Sequence, residues 1–332
     1  MHLQERIQLL VELGKYMKSD VGKWQEAKEK AFRENAWFIP EFVQLAVNNI
    51  SGNWLHETQL RQWIEPYGFT NDCPDPKNIG LITAGNIPMV GFHDFMSIFV
   101  SGHKQIIRPS SKDQALIRHL VEFLSGVDRR VRDYIQFADM LKGCDAYIAT
   151  GSNNSSRYFD YYFGKYAHII RRNRTSVAIL DGHETPEELE KLAEDVHLFF
   201  GLGCRNVTKL YIPNHYDFLP LLHAFKKFIW FTDHKKYKNN YDYQLTLLIL
   251  NKKFYMTNGS ILLVEDPAAF SPISLIHYEY YSDAPHVSED TGESSELQCC
   301  VGHGFLPFGR GQIPGLEDYA DGIDTLKFLR NL

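Results

Sequence analysis

Among the side chains that could act as a nucleophile, Cys204 has the most suggestive surroundings. It follows Gly201 and Gly203 and directly precedes Arg205. Flanking glycines leave room for a substrate beside the sulfur, and a neighbouring cation favours the thiolate, which is the reactive form. The alternative is a buried structural cysteine, a common role for this residue type, but such a cysteine needs neither feature. The pattern therefore favours a nucleophile at Cys204.

An asparagine in an earlier turn is a candidate for stabilising negative charge. Asn86 lies between Gly85 and Pro88, directly after an apolar stretch that predicts a short strand. A carboxamide at a strand end can direct its N–H groups toward an oxyanion. The alternative is that Asn86 caps the helix that follows Pro88. Taken alone, the turn favours the capping role.

Two further turns between a predicted strand and a predicted helix carry groups suited to phosphates. Hydroxyls, cations and the N-terminus of a helix all bind anions, and a glycine lets the backbone approach the ligand. A solvated polar turn is the alternative for both, and neither matches the G-x-G-x-x-G fingerprint. The residues concerned are Arg108, Ser110, Ser111 and Lys112 in the first turn and Thr150, Gly151 and Ser152 in the second.

The remaining cysteines and the histidines give weaker signals. Cys299 and Cys300 lie in an apolar, strand-like stretch that favours a core position, and Cys144 and Cys73 have no distinctive neighbours. The fourteen histidines form no H-E-x-x-H or H-x-x-x-H pattern, so the sequence predicts no metal site. His93 lies on the helix predicted after Asn86, where it either faces the same cleft or has a surface or capping role.

The chain-wide pattern predicts the elements that position these turns. Helical spacing of apolar residues fills the first 66 residues, and strands then alternate with helices from residue 79. That order predicts a parallel sheet covered by helices, with ligands at the carboxyl ends of the strands. Thr185, Pro186 and Glu188 form a capping box that starts a second unit. We expect a helical cap with a dinucleotide-binding domain over 1–180, a catalytic domain over 181–305 and a tail over 306–332.

Composition limits the classes of protein to be considered. The chain has 332 residues, of which 44% are hydrophobic and 23% charged, ordinary values for a globular protein. A net charge of −6 is unsuited to a nucleic-acid-binding surface. No apolar run is long enough to span a bilayer, and no signal-peptide pattern opens the chain. The sequence therefore predicts a cytoplasmic protein that keeps its five cysteines reduced.

Taken in order, these motifs resemble those of the aldehyde dehydrogenase superfamily. Within it, the chain is most similar to acyl-CoA reductases of the bacterial luminescence fatty-acid reductase type. The resemblance rests on the segment Gly85–Ser111, the turn Thr150–Ser152, the segment Phe199–Cys204 and the late motif Pro307–Gly309. It spans roughly residues 75 to 315, and it implies an α/β fold with a Rossmann-like cofactor domain, a catalytic domain and an active site in the cleft between them.

The resemblance also implies roles for individual residues. Cys204 would attack an acyl-CoA thioester, and Asn86 would hold the oxyanion together with the Cys204 backbone N–H. Arg108, Ser111 and Ser152 would lie along the cofactor. The implied reaction is the reduction of an acyl-CoA, with a fatty acyl group favoured, to an aldehyde through a Cys204 thioester.

Departures from the family pattern refine this expectation. Members that hydrolyse their thioester carry a glutamate where this chain has the basic run Arg171–Arg174, which favours exchange with CoA over hydrolysis and suggests contact with CoA phosphates. NAD-preferring members often have a glutamate at the position of Ser111, so its replacement beside Lys112 favours NADPH over NAD. The chain is also shorter than typical members, which leaves a homodimer or an acyl-transfer complex open.

Three alternatives remain open on the sequence. One is an aldehyde dehydrogenase that hydrolyses its intermediate, and another is a thiol acyltransferase without redox function. The third is a non-catalytic partner of an acyl-transfer complex.

Overall fold

A computed structural model describes residues 1–151, 153–282 and 294–332, with the side chains of 153 and 154 left undescribed. The chain forms two compact units. Unit 1 comprises Met1–Asn173 and Gly315–Leu332, and unit 2 comprises Arg174–Pro314. This division differs from the expected boundaries at 180 and 305, because the strand Thr175–Ile179 pairs within the sheet of unit 2 and the C-terminal residues belong to unit 1.

The first part of unit 1 is helical, as predicted. Its four α-helices are α1 (Leu3–Met17), α2 (Gly22–Glu34), α3 (Pro40–Asn53) and α4 (Glu57–Ile64). A short 3₁₀ turn over Glu65–Tyr67 follows. Ile7, Leu10 and Leu13 recur at helical spacing on α1 and are buried, so this stripe packs against the rest of unit 1.

A five-stranded parallel sheet follows in unit 1. Its strands are β1 (Asn78–Ile82), β2 (Lys104–Arg108), β3 (Ile135–Phe137), β4 (Ala146–Thr150) and β5 (Ala167–Arg171). Their order is β3-β2-β1-β4-β5. The connecting helices are α5 (Phe92–Ser101), α6 (Ala115–Val127) and α7 (Asn153–Phe163), and a 3₁₀ helix spans Arg129–Asp133. Because the order reverses direction between β1 and β4, their carboxyl ends form the switch point where open α/β sheets bind ligands.

Unit 2 is built on a six-stranded sheet. Its strands are β6 (Thr175–Ile179), β7 (Val207–Pro213), β8 (Met256–Thr257), β9 (Leu262–Glu265), β10 (Leu275–Tyr281) and β11 (Leu297–Gly302). The order is β11-β6-β7-β10-β9-β8, parallel except for the β8–β9 pair. β6 is buried along its whole length and β7 along most of its length, as is usual for parallel strands covered on both faces.

Among the residues described, the α-helices that accompany this sheet are α8 (Pro186–His197), α9 (Phe218–Phe225) and α10 (Lys235–Leu250). 3₁₀ segments span Leu198–Gly201 and Lys226–Asp233. The predicted capping box is present at α8, where the Thr185 hydroxyl accepts the Glu188 N–H and the Glu188 carboxylate accepts the Thr185 N–H. The chain ends in unit 1 with a 3₁₀ turn (Ala320–Gly322) and α11 (Thr325–Arg330).

Within the described ranges, the helices are all too short or too polar to serve as a bilayer span.

Candidate active site

The turn after β1 places Asn86 at the carboxyl edge of the unit 1 sheet. Asn86 is exposed, and α5 begins only at Phe92 with Gly91 as its N-cap residue. Asn86 therefore does not cap this helix, and the role that the turn alone favoured is wrong. A Cβ on the preceding Gly85 would lie 2.6 Å from the Ser110 Oγ, so glycine is needed where the turns after β1 and β2 pack together.

A buried carboxyl group ties these two turns to each other. Asp113 accepts the Met89 N–H through Oδ2 at 2.7 Å, and Met89 has a left-handed backbone with φ of 56°. The Asp113 side chain is enclosed, and this burial raises its pKa to about 7. The contact therefore fixes the second half of the turn that carries Asn86.

The turn after β2 presents cationic and hydroxyl groups. Arg108, Ser111 and Lys112 are exposed, and Ser110 is half-buried with its Oγ accepting the Lys112 N–H at 3.2 Å. The helix that follows, α6, begins only at Ala115. Lys112 and Ser111 therefore lie in an irregular loop, and they would bind an anion with their side chains rather than as part of a helix N-terminus.

The turn after β4 leads directly into α7. Thr150 and Gly151 are half-buried at the strand end, and the Gly151 N–H donates to the Arg171 carbonyl at 3.4 Å. A Cβ at Gly151 would approach a Phe159 ring carbon to 2.8 Å, so only glycine lets the chain turn this tightly into the helix. Ser152, the third predicted residue of this turn, lies outside the described residues.

The residues at these strand ends carry groups that suit the phosphates and riboses of a dinucleotide. The cationic side chains of Arg108 and Lys112 and the hydroxyl of Ser111 suit phosphate and ribose oxygens. The tight turn at Gly151 brings the backbone of α7 to the switch point between β1 and β4, where a helix N-terminus favours a phosphate.

Cys204 lies in unit 2, in the turn between α8 and β7, and is half-buried. The segment before it is unusual, because Phe199, Phe200 and Gly201 all have positive φ (57°, 56° and 73°). Two consecutive non-glycine residues in this conformation cost free energy, and such strain persists only where the surroundings enforce it. Phe199 and Phe200 are buried, and their packing holds the strained turn that delivers the chain to Cys204.

Side chains from unit 2 hold the backbone on both sides of Cys204. The Ser176 Oγ donates to the Cys204 carbonyl at 3.0 Å, and the Asn206 Oδ1 accepts the Gly203 N–H at 2.8 Å. Ser176 and Asn206 are both fully buried. The nucleophile candidate is thus half-exposed on a turn whose main chain is fixed.

The other four cysteines are also free thiols. Burial raises the pKa of Cys300 to about 12 and raises the pKa of Cys144, which keeps both in the unreactive thiol form. Cys299 is half-buried on β11, with its Sγ 3.1 Å from the Ser176 Oγ. The expected strand placement of Cys299 and Cys300 is correct, although both are half-buried rather than enclosed.

The basic run at the end of β5, Arg171–Arg174, makes contacts within the protein. Arg171 is buried and forms a two-pronged ion pair with Asp94, through Nη2 to Oδ1 at 2.6 Å and Nε to Oδ2 at 3.2 Å. Arg172 lies 3.2 Å from the Asp160 carboxylate, and Arg174 donates to the Leu297 carbonyl. The suggested contact with CoA phosphates is therefore wrong for Arg171, because its guanidinium is enclosed and neutralised.

His93 also has a structural role. Its Nε2 lies 2.9 Å from the Leu316 carbonyl oxygen, and its ring packs edge-on against Trp54, Trp63 and Tyr319. These partners come from the helical cap and the C-terminal segment of unit 1. The histidine therefore joins the helical cap to the C-terminal segment. These contacts account for its position without a role beside Asn86.

The residues described contain one cluster of metal-ligand type, Asp181, Glu184 and His303, whose ligand atoms lie within 4.8 Å of one another. Both ring nitrogens of His303 are already hydrogen-bonded, to Asp181 at 2.8 Å and to Glu188 at 3.1 Å. The absence of a metal site stays a prediction.

Sequence reasoning missed Ser176, Asn206 and Asp113, which hold these turns. It also missed Asp195, which accepts the Gly309 and Gly311 N–H groups around the late motif. Asn206 carried a usable signal, because an asparagine two residues after a glycine-flanked cysteine is well suited to bond the turn's backbone. Ser176 and Asp195 lie inside a strand and a helix, where a single polar residue does not reveal its partner.

Comparison with known proteins places the fold. No family model and no curated protein matches the chain. Solved structures do match. An oxidoreductase from Marinobacter aquaeolei is similar with a TM-score of 0.68 and 9% identity, over 91% of this chain and 73% of that chain. An aldehyde dehydrogenase from Mycobacterium tuberculosis complexed with NAD⁺ is similar with a TM-score of 0.65 and 12% identity, over 91% and 73%.

The chain has the aldehyde dehydrogenase fold. A third structure, an E. coli enzyme described as NADP dependent, agrees with a TM-score of 0.64 and 11% identity, over 91% of this chain and 73% of that chain. The expected fold class, α/β with a Rossmann-like parallel sheet, is confirmed. At these identities the similarity extends to the fold, and the roles of individual residues rest on the chemistry of the site.

Proposed function

We propose that this chain with an aldehyde dehydrogenase fold is an acyl-CoA reductase that uses NADPH. The overall reaction is acyl-CoA + NADPH + H⁺ → aldehyde + CoA + NADP⁺. The observation that carries the proposal is Cys204, a half-buried thiol on a strained turn whose backbone is fixed on both sides. Such a thiol has the exposure and the rigidity that a nucleophile needs.

In the first step, the Cys204 thiolate attacks the thioester carbon and forms a new C–S bond. The carbonyl oxygen takes the electron pair, and collapse of this tetrahedral species breaks the old C–S bond and expels the CoA thiolate. Asn86 is the proposed donor to the oxyanion, since a carboxamide is a neutral N–H donor and this one is exposed at the carboxyl edge of the unit 1 sheet. The acyl group then remains on Cys204 as a thioester.

The residues proposed to hold the cofactor are Arg108, Ser110, Ser111 and Lys112 after β2 and Thr150, Gly151 and Ser152 after β4. When bound, the nicotinamide would supply the hydride that reduces the acyl group on Cys204. Arg108 and Lys112 provide positive charge for phosphates, and Ser111 adds a neutral hydroxyl. This set favours NADPH, because no exposed carboxylate in 108–112 would repel its additional phosphate.

The position of Arg171 supports acyl exchange with CoA over hydrolysis. Hydrolysis requires a base that removes a proton from water. The segment where the resemblance implies such a carboxylate has Arg171, whose guanidinium is permanently charged and paired with the buried Asp94. Arginine cannot act as this base, so the acyl group is expected to leave Cys204 by reduction or by return to CoA.

The test is NADPH oxidation with palmitoyl-CoA by the wild-type chain, Cys204→Ala and the matched control Cys73→Ala. Cys73 is also a half-buried free thiol, but it has no part in the proposed chemistry. We expect the activity to be lost in Cys204→Ala and kept in Cys73→Ala. Undiminished oxidation by Cys204→Ala would overturn the proposal.

A second assay separates reduction from hydrolysis. An aldehyde and NADP⁺ are supplied with and without CoA, and NADPH formation is followed. We expect sustained turnover only with CoA, because the segment Arg171–Arg174 offers no carboxylate that could act as a general base for attack by water. Equal turnover without CoA would favour the hydrolysing aldehyde dehydrogenase.

A further inference from the structure

The buried asparagine two residues after Cys204 makes more backbone contacts than its place in a turn requires. The Asn206 Nδ2 lies within hydrogen-bonding distance of three carbonyl oxygens at the end of α8, those of Asp195, Val196 and Leu198, at 3.0, 3.3 and 2.8 Å. Two N–H groups are thus shared among three acceptors. The last carbonyls of a helix have no N–H donors within the helix, and the Asn206 amide provides donors for those at the end of α8.

The opposite face of the same amide holds the turn of Cys204. The Asn206 Oδ1 accepts the Gly203 N–H at 2.8 Å. In addition, the backbone N–H of Asn206 donates to the Gly203 carbonyl at 3.1 Å. Asn206 therefore connects the C-terminus of α8 to the residue that precedes Cys204. The strained segment Phe199–Gly201 lies between these two anchor points, so the amide spans it.

Ser176 completes the support from the neighbouring strand. Its Oγ donates to the Cys204 carbonyl at 3.0 Å, and its backbone N–H donates to the Asn206 carbonyl at 3.1 Å. Ser176 lies on β6, in the interior of the six-stranded sheet. The main chain from 203 to 206 is therefore bonded to a helix end on one side and to a central strand on the other.

A buried carboxylate extends this support to the late turn that contains Pro307–Gly309. Asp195, on α8, accepts the Gly309 and Gly311 N–H groups at 2.6 and 2.9 Å. A Cβ at Gly311 would lie 2.8 Å from the Asp195 Oδ1, so glycine is required there. The end of α8 is thus held in place by the turn around Gly309, and Asn206 is attached to a fixed support.

We propose that Asn206 and Ser176 are positioning residues, which fix the direction in which the Cys204 thiol meets a thioester. This inference rests on the proposed function of Cys204. Both side chains are fully buried, so both are expected to affect the rate of acyl transfer more than substrate binding. A misplacement of about 1 Å at a reacting group lowers a rate by up to about 100-fold.

Asn206→Asp is the sharpest change, because it keeps the shape of the side chain and removes both N–H groups. It also sets a negative charge against the C-terminus of α8, where the helix dipole is already negative. Ser176→Ala is the milder second variant and removes only the donor to the Cys204 carbonyl. The matched control is Asn258→Asp in the β8–β9 turn. The Asn258 side chain accepts the Ser260 N–H and donates to the Leu222 carbonyl on α9.

The experiment measures acylation of each variant by palmitoyl-CoA without cofactor, using rapid quenching and intact mass. Iodoacetamide labelling of Cys204 in the same samples reports whether the thiol is accessible. We expect the maximal acylation rate to fall by about 10- to 100-fold in Asn206→Asp and by a smaller factor in Ser176→Ala. The half-saturating palmitoyl-CoA concentration and the labelling rate are expected to stay within about 3-fold of wild type.

The outcomes separate this inference from the proposed function. Acylation of a folded Asn206→Asp or Ser176→Ala at the wild-type rate would overturn the positioning role, as would an equal loss of acylation and labelling. If Asn206→Asp does not fold, Ser176→Ala decides. A wild-type chain that gains no acyl adduct would instead overturn the proposed function, and the positioning inference with it.

Discussion

The buried ion pair between Arg171 and Asp94 allows a sharp test of the structural account. The Asp94 carboxylate is within 2.6 and 3.2 Å of two guanidinium nitrogens, and the two side chains are only 4% and 7% exposed. Arg171 also donates to the Thr325 hydroxyl and the Ala320 carbonyl, which attach the C-terminal segment to unit 1. In Asp94→Ala the guanidinium stays buried without its counter-charge.

Removal of one partner of a buried pair typically costs about 3–5 kcal/mol, whereas an exposed pair contributes about 0–1 kcal/mol. Asp160→Ala is the matched control, because it breaks the neighbouring Arg172–Asp160 pair, whose side chains are 64% and 45% exposed. We expect Asp94→Ala to lower the free energy of unfolding of unit 1 by about 3–5 kcal/mol and Asp160→Ala by less than about 1 kcal/mol.

The assay is urea unfolding followed by circular dichroism, with the double variant Asp94→Leu/Arg171→Met added. Replacing both partners by apolar residues removes the uncompensated charge, so most of the loss is expected to be recovered. Equal losses in Asp94→Ala and Asp160→Ala would refute the reasoning. A double variant that is less stable than Asp94→Ala would also refute it. In that case the attraction within the pair would exceed the free-energy cost of removing both charges from water.

Three further predictions concern the site and its surroundings. Asn86→Ala is expected to lower the rate of acylation by about 100- to 1,000-fold with unchanged iodoacetamide labelling of the nucleophile, and an unchanged acylation rate would contradict its role as oxyanion donor. Ser111→Glu is expected to lower the affinity for NADPH relative to NADH by at least about 10-fold in a binding titration, because the new carboxylate would repel the additional phosphate. An unchanged ratio of the two affinities would contradict the proposed preference for NADPH. Hydrogen bonds with Asp181 and then Glu188 raise the pKa of His303 to about 9. Since this is above the unfolded value of about 6.5, the protonated ring stabilises the fold most below about pH 6.5, and this contribution is lost as the pH rises through about 9. The melting-temperature gap between wild type and His303→Gln is thus expected to narrow from about pH 6 to about pH 10, and a constant gap would contradict the ion-pair reading.

The sequence carried enough information to predict most of the fold. β1, β2 and β4 lie directly before the turns that carry Asn86, Ser111 and Gly151, as predicted, because buried parallel strands appear as short apolar runs. β3 leaves no such signal, since its three residues, Ile135–Phe137, are too few to form a pattern. The boundary between the two units, just before β6, could not be predicted from the neighbouring residues. It depends on which of the two sheets β6 joins.

The site could be predicted only in part. Its chemistry-bearing residues lie in turns, where glycine, proline and polar residues leave a local signal. The bonds that fix those turns come from residues far along the chain, as with Ser176 and Cys204. Arg171 shows the same limit, because a basic run looks solvent-exposed until the fold brings Asp94 against it.

The most direct test of the central claim is the intact mass of the wild-type chain and Cys204→Ala after incubation with palmitoyl-CoA, followed by addition of NADPH. The account predicts an acyl adduct on the wild-type chain alone, which disappears when NADPH is added and releases the aldehyde. No adduct on the wild-type chain, an equal adduct on Cys204→Ala, or an adduct that persists with NADPH would contradict it.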